Sequence, residues 1–263
     1  MIILDFQTFN LKHYNMIEQM AIISDIHGNL PALEAVINEI ERRNINRIFC
    51  IRDIIGKGPS PDIVIDICRK YCEKIIKGNH EELICSEITF GGEIFEKIKQ
   101  WNKNKIGNER YEYLKSLDYS INLKISGKNL RLFHASQIGV CNRVHKNDNM
   151  EKHLLMFENT EFTGFLESPN IVGYGDIHSS FIEIIKDKIL FNVGSVGNPL
   201  GLDTRASFGI ISGAFDSNIE EKLELDIVKI DYDKNKAIYD TKECALPEIE
   251  LYKNEILTGK YRG

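Results

Sequence analysis

The sequence predicts an α/β protein, and three observations carry that prediction. From Met20 onward, short β-rich runs alternate with amphipathic helical stretches. Small clusters of Asp, Asn and His follow directly on several of the predicted strands. The 263 residues, 43% hydrophobic and 27% charged, have the composition of an ordinary globular chain, long enough for one sizeable domain or two small ones.

Residues 20–24 form the first predicted strand. Pro31 then sits where a first helical turn tolerates it, and Leu33, Val36, Ile37 and Ile40 recur on one helical face. A strand follows at 47–51. After Pro59 and Pro61 a second helix carries Val64, Ile67, Cys68 and Tyr71 on one stripe, and residues 74–77 supply a third strand. Such a βαβαβ run implies parallel strands and right-handed crossovers. Residues 81–117, rich in Glu, Lys, Ile and Leu and holding Trp101, read as two or three helices broken near Gly91-Gly92 and Gly107. Strands are predicted at 130–133, 171–174, 181–185, 189–193, 208–215 and 223–230, with hairpin-like turns at 186–188 and 216–218, so the second half reads as mainly antiparallel. The charged tail beyond Asp231 carries Ala237, Ile238, Leu246, Ile249 and Leu251 as the apolar positions of closing helices. No repeat, low-complexity tract or linker divides the chain. A single domain over 20–263 with an N-terminal extension over 1–19 is expected.

Charge and cysteine content narrow the function classes. With 33 Lys and Arg against 39 Asp and Glu the net charge is −6, which argues against binding nucleic acid or an anionic membrane through a broad basic face. No apolar run approaches the roughly 18 residues of a membrane span, and Asp5 and Lys12 interrupt the stretch where a signal peptide needs an apolar core. A cytoplasmic location is expected. The six cysteines form no Cys-x-x-Cys pair and are too sparse for a disulfide scaffold. Cys68 and Cys72, one helical turn apart, are expected to pack as small apolar side chains rather than to bind metal.

Five polar clusters stand at predicted strand ends: Asp25-x-His27, Asp53, Asn79-His80, His134 and Asp176-x-His178. In open α/β sheets, functional groups gather at the carboxyl ends of strands, where residues distant in sequence converge. An isolated Asp or Asn there is commonly a turn former or a helix cap, and Asp25 and Asn29 are placed to cap the helix near Pro31. Capping would recruit Ser and Thr as well, yet all five clusters draw on Asp, Asn and His alone. His13, His145 and His153 lie in no such context. Carboxylate oxygens with imidazole nitrogens and no thiolate suit divalent ions such as Mn, Fe, Zn or Co. Asp25, His27, Asp53, Asn79, His134, Asp176 and His178 exceed the four ligands of one structural Zn, and they match two ions that share a carboxylate. Two ions roughly 3.5–4 Å apart are common machinery for in-line displacement at phosphorus.

The strings SDIHGN (24–29), RDIIGKGPSP (52–61), GNHE (78–81), HAS (134–136), GDIH (175–178) and NVGSVGNP (192–199) resemble the ordered motifs of the calcineurin-like metallophosphoesterase superfamily, in particular its bacterial and archaeal diadenosine-tetraphosphatase-like branch. The likeness runs from about Met20 to the C-terminus, including the ALPEIELYKNEILTGK tail. It implies a four-layer αββα sandwich of two mixed β-sheets flanked by helices. It also implies a phosphoesterase with two divalent ions, Mn foremost and Fe, Zn, Co, Ni or Mg as alternatives. The implied substrate is a small phosphodiester, dinucleoside polyphosphate or phosphomonoester, attacked in line by a metal-bound hydroxide. Carried over by position, the resemblance gives Asp25, His27 and His178 to the first ion, Asp53 to the bridge, and Asn79 and His134 to the second ion. His80 becomes the group that contacts phosphate and protonates the leaving group, a role an imidazole beside two cations suits.

Two positions depart from the family pattern. Arg52 stands where a glycine usually precedes the bridging aspartate, and strand alternation would turn its side chain away from the metals. Asp176 stands where a histidine usually ligates the second ion, keeping a ligating oxygen on a shorter side chain. These departures leave a second reading, a catalytically silent interaction module on the same fold, against which His80 argues. A phosphoprotein phosphatase is a third reading, but the Asp53 segment continues IIGKGPSP without the arginine those enzymes usually place shortly after it. The residues that choose the leaving group are expected in loops such as 137–149.

Overall fold

The structure is a computed structural model and describes residues 17–86 and 92–261. Of the expected N-terminal extension, residues 1–16 lie outside the described residues. Glu18 and Gln19 already belong to the first strand, β1 (Glu18–Ile23), paired with Gly213 and Ser212. The chain continues through α1 (Leu30–Arg42), β2 (Arg47–Cys50), α2 (Pro61–Tyr71), β3 (Lys74–Ile75), α3 (Asn79–Cys85) and α4 (Gly92–Lys115). Then come β4 (Ser120–Ile125), β5 (Lys128–Phe133), α5 (Met150–Leu155), β6 (Ile171–Tyr174), β7 (Phe181–Ile185), β8 (Lys188–Asn192), β9 (Ala206–Gly213), β10 (Glu224–Ile230), α6 (Lys234–Tyr239) and α7 (Ile249–Thr258).

One sheet has the order β10-β9-β1-β2-β3, with β1, β2 and β3 parallel as expected, β9 antiparallel to β1 and β10 antiparallel to β9. The other has the order β4-β5-β6-β8-β7. Its centre, β5, β6 and β8, is parallel, and only the edge strands β4 and β7 run against it. With β1·β9 and β9·β10 also antiparallel, the second half is mainly antiparallel as expected, and the parallel centre of this sheet is the exception. β5 returns to β6 only after the long stretch containing α5, and β8 passes over β7 to pair with β6, so neither neighbour is a hairpin partner in sequence.

The layering follows from the two-residue period of the strands. Met20 and Ile22 of β1, with Phe49 of β2, meet Leu130 and Leu132 of β5 and Phe191 of β8 in the core between the sheets. Ala21, Ile23, Ile48 and Cys50 point the other way, onto Leu33, Val36 and Ile40 of α1 and Val64 and Cys68 of α2. Cys68 is thus buried in an apolar core, with Cys72 packed against it, as expected. On the far side of the second sheet, Val172, Tyr174 and Leu190 pack under Met156 and Phe157, just beyond α5. The result is the four-layer αββα sandwich.

Two local expectations change and a third holds. Residues 120–125, outside the predicted strands, form β4, with Ile121 and Ile125 in the inter-sheet core. The turn at 216–218 is part of a long connection rather than a tight hairpin. There Ala214 N donates to Ser126 Oγ (3.0 Å) and Ser126 N to Ala214 O (2.8 Å), tying the two sheets together. The break expected at Gly107 is present, a non-helical residue at φ 73° that divides α4 in two; Gly91 lies outside the described residues, and Gly92 opens α4.

Candidate metal centre

The parallel strands of both sheets end at one place, and the polar clusters leave them there. β1 delivers Asp25 and His27, β2 Asp53, the turn after β3 Asn79 and His80, β5 His134, and β6 Asp176 and His178. All eight residues come together. Asp25, His27, Asp53, Asp176 and His178 have positive φ, at 53°, 51°, 25°, 65° and 56°. Such backbone costs of order 1 kcal/mol per non-glycine residue and concentrates where a site dictates side-chain direction. Backbone bonds hold these turns in register: His27 N donates to Asp53 O (2.8 Å), Gly28 N to Ile54 O (2.7 Å) and Gly197 N to Asp25 O (2.9 Å). Asn29 caps α1 through its side chain, accepting from Ala32 N. Asp25, also a candidate cap, instead turns its carboxylate into the centre.

Three buried imidazoles are oriented alike. Nδ1 of His27 faces Ile55 O (3.2 Å), Nδ1 of His178 faces Asn198 O (2.6 Å) and Nδ1 of His134 faces Ile51 O (3.3 Å). With the proton on Nδ1, each ring presents an Nε2 lone pair inward, as ligating histidines do. Nε2 of His27 and of His178 are 3.1 Å apart, and Asp25 Oδ1 lies 3.2 Å from the latter and 3.8 Å from the former. Ligands about 2.1 Å from one ion are separated by about 3.0–3.5 Å. Asp25 Oδ1 is buried without a hydrogen-bond partner, whereas Oδ2 accepts from Ser24 Oγ (2.6 Å) and Asp176 N (3.1 Å). An orphaned carboxylate oxygen facing two imidazole lone pairs fits a divalent cation.

Asp53 lies between this group and a second one. Its Oδ2 is 3.9 Å from His27 Nε2 and 3.5 Å from His134 Nε2, and the latter is 2.7 Å from Asn79 Oδ1. Asp53 Oδ1 accepts from His80 N (3.1 Å). The His80 ring stands edge-on to His27 and is partly exposed, with Nε2 3.9 Å from Asp53 Oδ2. Burial, together with His80 and His178, holds the His27 imidazole well below its ordinary pKa, keeping it neutral and able to ligate. Burial lowers His80 as well. At His134 burial also opposes the charge, but the Asp53 carboxylate outweighs it and raises the group to about 10. Without a cation, a proton therefore takes the place between His134 and Asp53.

Two glycines make room. A Cβ at Gly78 would press on the Asp53 carboxylate and on Arg52 Cβ, and one at Gly56 (φ 117°) would strike the His80 ring. Over the centre opens a cavity of about 250 Å³ whose wall includes Asp53, Asn79, His80 and His178 together with Lys57, Arg143, His145 and Tyr261.

Residues 19–213 match the calcineurin-like phosphoesterase superfamily domain. The chain belongs to the calcineurin-like phosphoesterase superfamily. It is 31% identical over 242 residues to an uncharacterised protein of Methanocaldococcus jannaschii, a match covering 89% of this chain and 96% of that one. In fold it is similar to a metallophosphoesterase from Sphaerobacter thermophilus (TM-score 0.71, 21% identity, 93% of this chain and 100% of that one). It is likewise similar to a hypothetical protein of Pyrococcus horikoshii (TM-score 0.75, 19% identity, 93% of this chain and 99% of that one).

This calcineurin-like phosphoesterase accommodates both of its departures with added ion pairs. Arg52 has φ 105°, a conformation that favours glycine, which gives a physical reason for the glycine usual there. Its buried guanidinium turns away from the centre, as expected, but because of this backbone rather than strand alternation. Its Nη1 lies 3.2 Å from Glu81 Oε2, while Glu81 Oε1 accepts from Ile54 N (2.8 Å) and Ile55 N (3.2 Å). Asp176 is gripped by Arg143, with Nε on Oδ2 at 2.9 Å and Nη2 on Oδ1 at 2.8 Å. Its Oδ1 still lies 3.8 Å from His134 Nε2.

Sequence reasoning passed over Arg143, Lys57, His145 and Glu255. Lys57 Nζ donates to Glu255 Oε2 (2.7 Å) and Asn198 Oδ1 (3.0 Å), joining the GKG segment to α7 and to the loop after β8. His153, set aside, is buried beside Glu183 (2.8 Å) and outside the centre. His13 lies outside the described residues. Among the described residues no helix is long and apolar enough to cross a membrane.

Proposed function

We propose that this chain is a two-metal phosphoesterase that hydrolyses a small phosphorylated ester: a phosphodiester, a dinucleoside polyphosphate or a phosphomonoester. The observation that carries the reading is the common orientation of His27, His134 and His178, each tied at Nδ1 to a backbone carbonyl and open at Nε2 toward the Asp25 and Asp53 carboxylates. Asp25, His27 and His178 would hold one ion, Asn79 and His134 with Asp176 would hold a second, and Asp53 would serve both. The bound ions supply a water activated at neutral pH and neutralise charge on the phosphoryl oxygens.

The chain's own groups do the rest. Lys57 and Arg143, on the cavity wall, bind and orient phosphoryl oxygens. His80, more exposed than the ligand histidines and on the same wall, gives a proton to the departing oxygen. A silent interaction module would have no use for a partly exposed histidine held beside the cavity by its backbone bond to Asp53.

The test is a substrate panel with the Mn-loaded full-length protein: a generic aryl phosphodiester, an aryl phosphomonoester and diadenosine tetraphosphate. Turnover of at least one, abolished by chelator and restored by Mn, is expected. Protein carrying two ions per chain that hydrolyses none of them overturns the reading.

A further inference from the structure

Lys57 reaches the metal cavity from the GKG segment, yet the groups that hold its ammonium come from the later part of the chain. Its Nζ donates to Glu255 Oε2 (2.7 Å) on α7 and to Asn198 Oδ1 (3.0 Å), and it stands 5.3 Å from the ring centroid of Tyr261. Asn198 Nδ2 donates to the same Glu255 oxygen (3.1 Å), and Asn198 O is the carbonyl that faces Nδ1 of His178. The helix that carries Glu255 is itself fixed. Tyr252 and Ile256 pack in a small core with Ala237 and Leu246, and beyond α7 Gly259 N donates to Glu255 O (2.8 Å) while Gly259 O accepts from Gly201 N (2.8 Å). Glu255 is buried, and its Oε1 has no hydrogen-bond partner. A buried ion pair adds little net stability over apolar side chains of the same volume, and an unpaired oxygen costs more. Stability is therefore a poor reason for this carboxylate. Lys57 has a use for it, because a flexible lysine stem gives up much rotamer freedom before its charge meets a phosphate.

We propose that Glu255 and Tyr261 are positioning residues that fix the Lys57 ammonium on the wall of the metal cavity before a phosphoryl group arrives; the proposal rests on reading the centre as a phosphoesterase in which Lys57 binds phosphoryl oxygens. Both residues lie beyond 213, where the match to the family domain ends, so the device belongs to the C-terminal part of this chain. An ammonium has three donors. Glu255 and Asn198 take two, and the third remains for a phosphoryl oxygen in the cavity that Lys57 and Tyr261 both line. The ordering of the side chain is completed on folding rather than at binding, and a preset charge stabilises a transition state without reorganisation. Glu255 acts only through Lys57. Its replacement leaves the lysine charge present but no longer aimed, so the loss falls on kcat rather than on KM.

Two measurements on the full-length protein separate positioning from packing, and one of them needs no turnover. In the first, kcat and KM for an aryl phosphate ester are compared among Mn-loaded wild type, Glu255→Gln, Lys57→Met and the double variant. Glu255→Gln should lower kcat about tenfold, keep KM within about twofold and keep the wild-type metal content, and in the Lys57→Met background it should lower kcat no further. Tyr261→Leu, at an exposed position, should lower kcat about two- to fivefold, the usual worth of an exposed cation–π contact, and again only where Lys57 is present. In the second, proton–nitrogen correlation NMR of the Mg-loaded protein follows the Lys57 ammonium, identified by its loss in Lys57→Met. A held ammonium exchanges with water slowly enough to be seen, so the signal should be present in wild type and broadened or lost in Glu255→Gln. Effects on kcat that add in the double variant, an ammonium signal absent from wild type, or one unchanged in Glu255→Gln overturns the proposal. Metal loss in Glu255→Gln overturns it too, since Glu255 would then act through Asn198 on His178. If Glu255→Gln does not fold, the wild-type signal and Tyr261→Leu decide. A held Lys57 with no ester hydrolysed would sink the hydrolase reading and leave the clamp standing. Hydrolysis with kcat unchanged in a folded Glu255→Gln would do the reverse.

Discussion

His27, His134 and His178 have Nδ1 fixed on backbone carbonyls, whereas His80 is placed by its backbone N–H on Asp53 and by the lack of a side chain at Gly56. A ring placed that way can be removed without dismantling the ligand shell. His80→Ala should therefore lower turnover about 10²–10⁴-fold, the usual worth of a positioned acid, with metal content near wild type by elemental analysis. Asp25→Ala should instead lose metal, since it removes the oxygen that faces two imidazole lone pairs. Full activity of His80→Ala on a substrate with a poor leaving group would refute the assigned role. At Arg143 the expected change is in KM. Its removal takes away a charge-assisted contact to phosphate worth about 1.5–3 kcal/mol, so Arg143→Ala should raise KM tenfold or more while both ions remain. Loss of metal with KM unchanged would mean that Arg143 serves to hold Asp176 rather than substrate. The ligand candidates were legible because each follows a strand within a few residues and is of ligating type. Arg143 was not, because its partner Asp176 lies 33 residues on, beyond α5 and β6, and no local pattern links the two.

At the scale of elements, the turn from β3 into α3 shows how backbone sets chemistry. Gly78 has φ −111° and ψ −175°, extended backbone open to any residue, so it is close approach that excludes a side chain there. Gly78→Ala should push the Asp53 carboxylate aside and weaken metal binding at least tenfold, with a stability loss of about 1–3 kcal/mol from overpacking. Gly107, at the kink of α4, makes the opposite case: φ is 73° and nothing lies within 4 Å of an added Cβ. Gly107→Ala should cost about 1 kcal/mol of backbone strain in a denaturant melt and leave metal binding untouched. A metal effect at Gly107, or none at Gly78, would contradict this account. The same contrast explains what the sequence conveyed about elements. β1, β2 and α1 are readable from dense apolar periodicity, whereas β4 alternates Ile121, Leu123 and Ile125 with Asn122 and Lys124, a period-two signal carried by only three apolar residues. The parallel pairing of β5, β6 and β8 is set by long-range packing across the inter-sheet core, which local pattern does not encode.

For the molecule as a whole, the candidate metal centre is where the two sheets meet at the carboxyl ends of their parallel strands. Asp25, His27, Asp53 and Asn79 come from the β1, β2 and β3 side, and His134, Asp176 and His178 from β5 and β6. Away from the centre the sheets are held by apolar packing that needs no ion, among Met20, Ile22, Phe49, Leu132 and Phe191. At the centre the chain carries positive-φ turns and closely spaced buried carboxylates, which oppose folding and which the proposed cations would offset. A ligand that binds only the folded state stabilises it by RT ln(1 + [L]/Kd), about 2.7 kcal/mol at a hundredfold excess over Kd. For a chain of this size each kcal/mol moves the midpoint by roughly 2–4 °C. Chelation should therefore lower Tm by roughly 5–10 °C, and added Mn should restore it in proportion to the logarithm of its concentration. Because the inter-sheet core is independent of the ions, the far-UV circular dichroism of the chelated protein at room temperature should stay close to that of the loaded one. A Tm indifferent to both chelator and Mn would show that the convergent Nε2 atoms hold no cation, and the two-metal reading would fall with it. A chelated protein already unfolded at room temperature would show instead that the ions, and not the apolar core, keep the two sheets together.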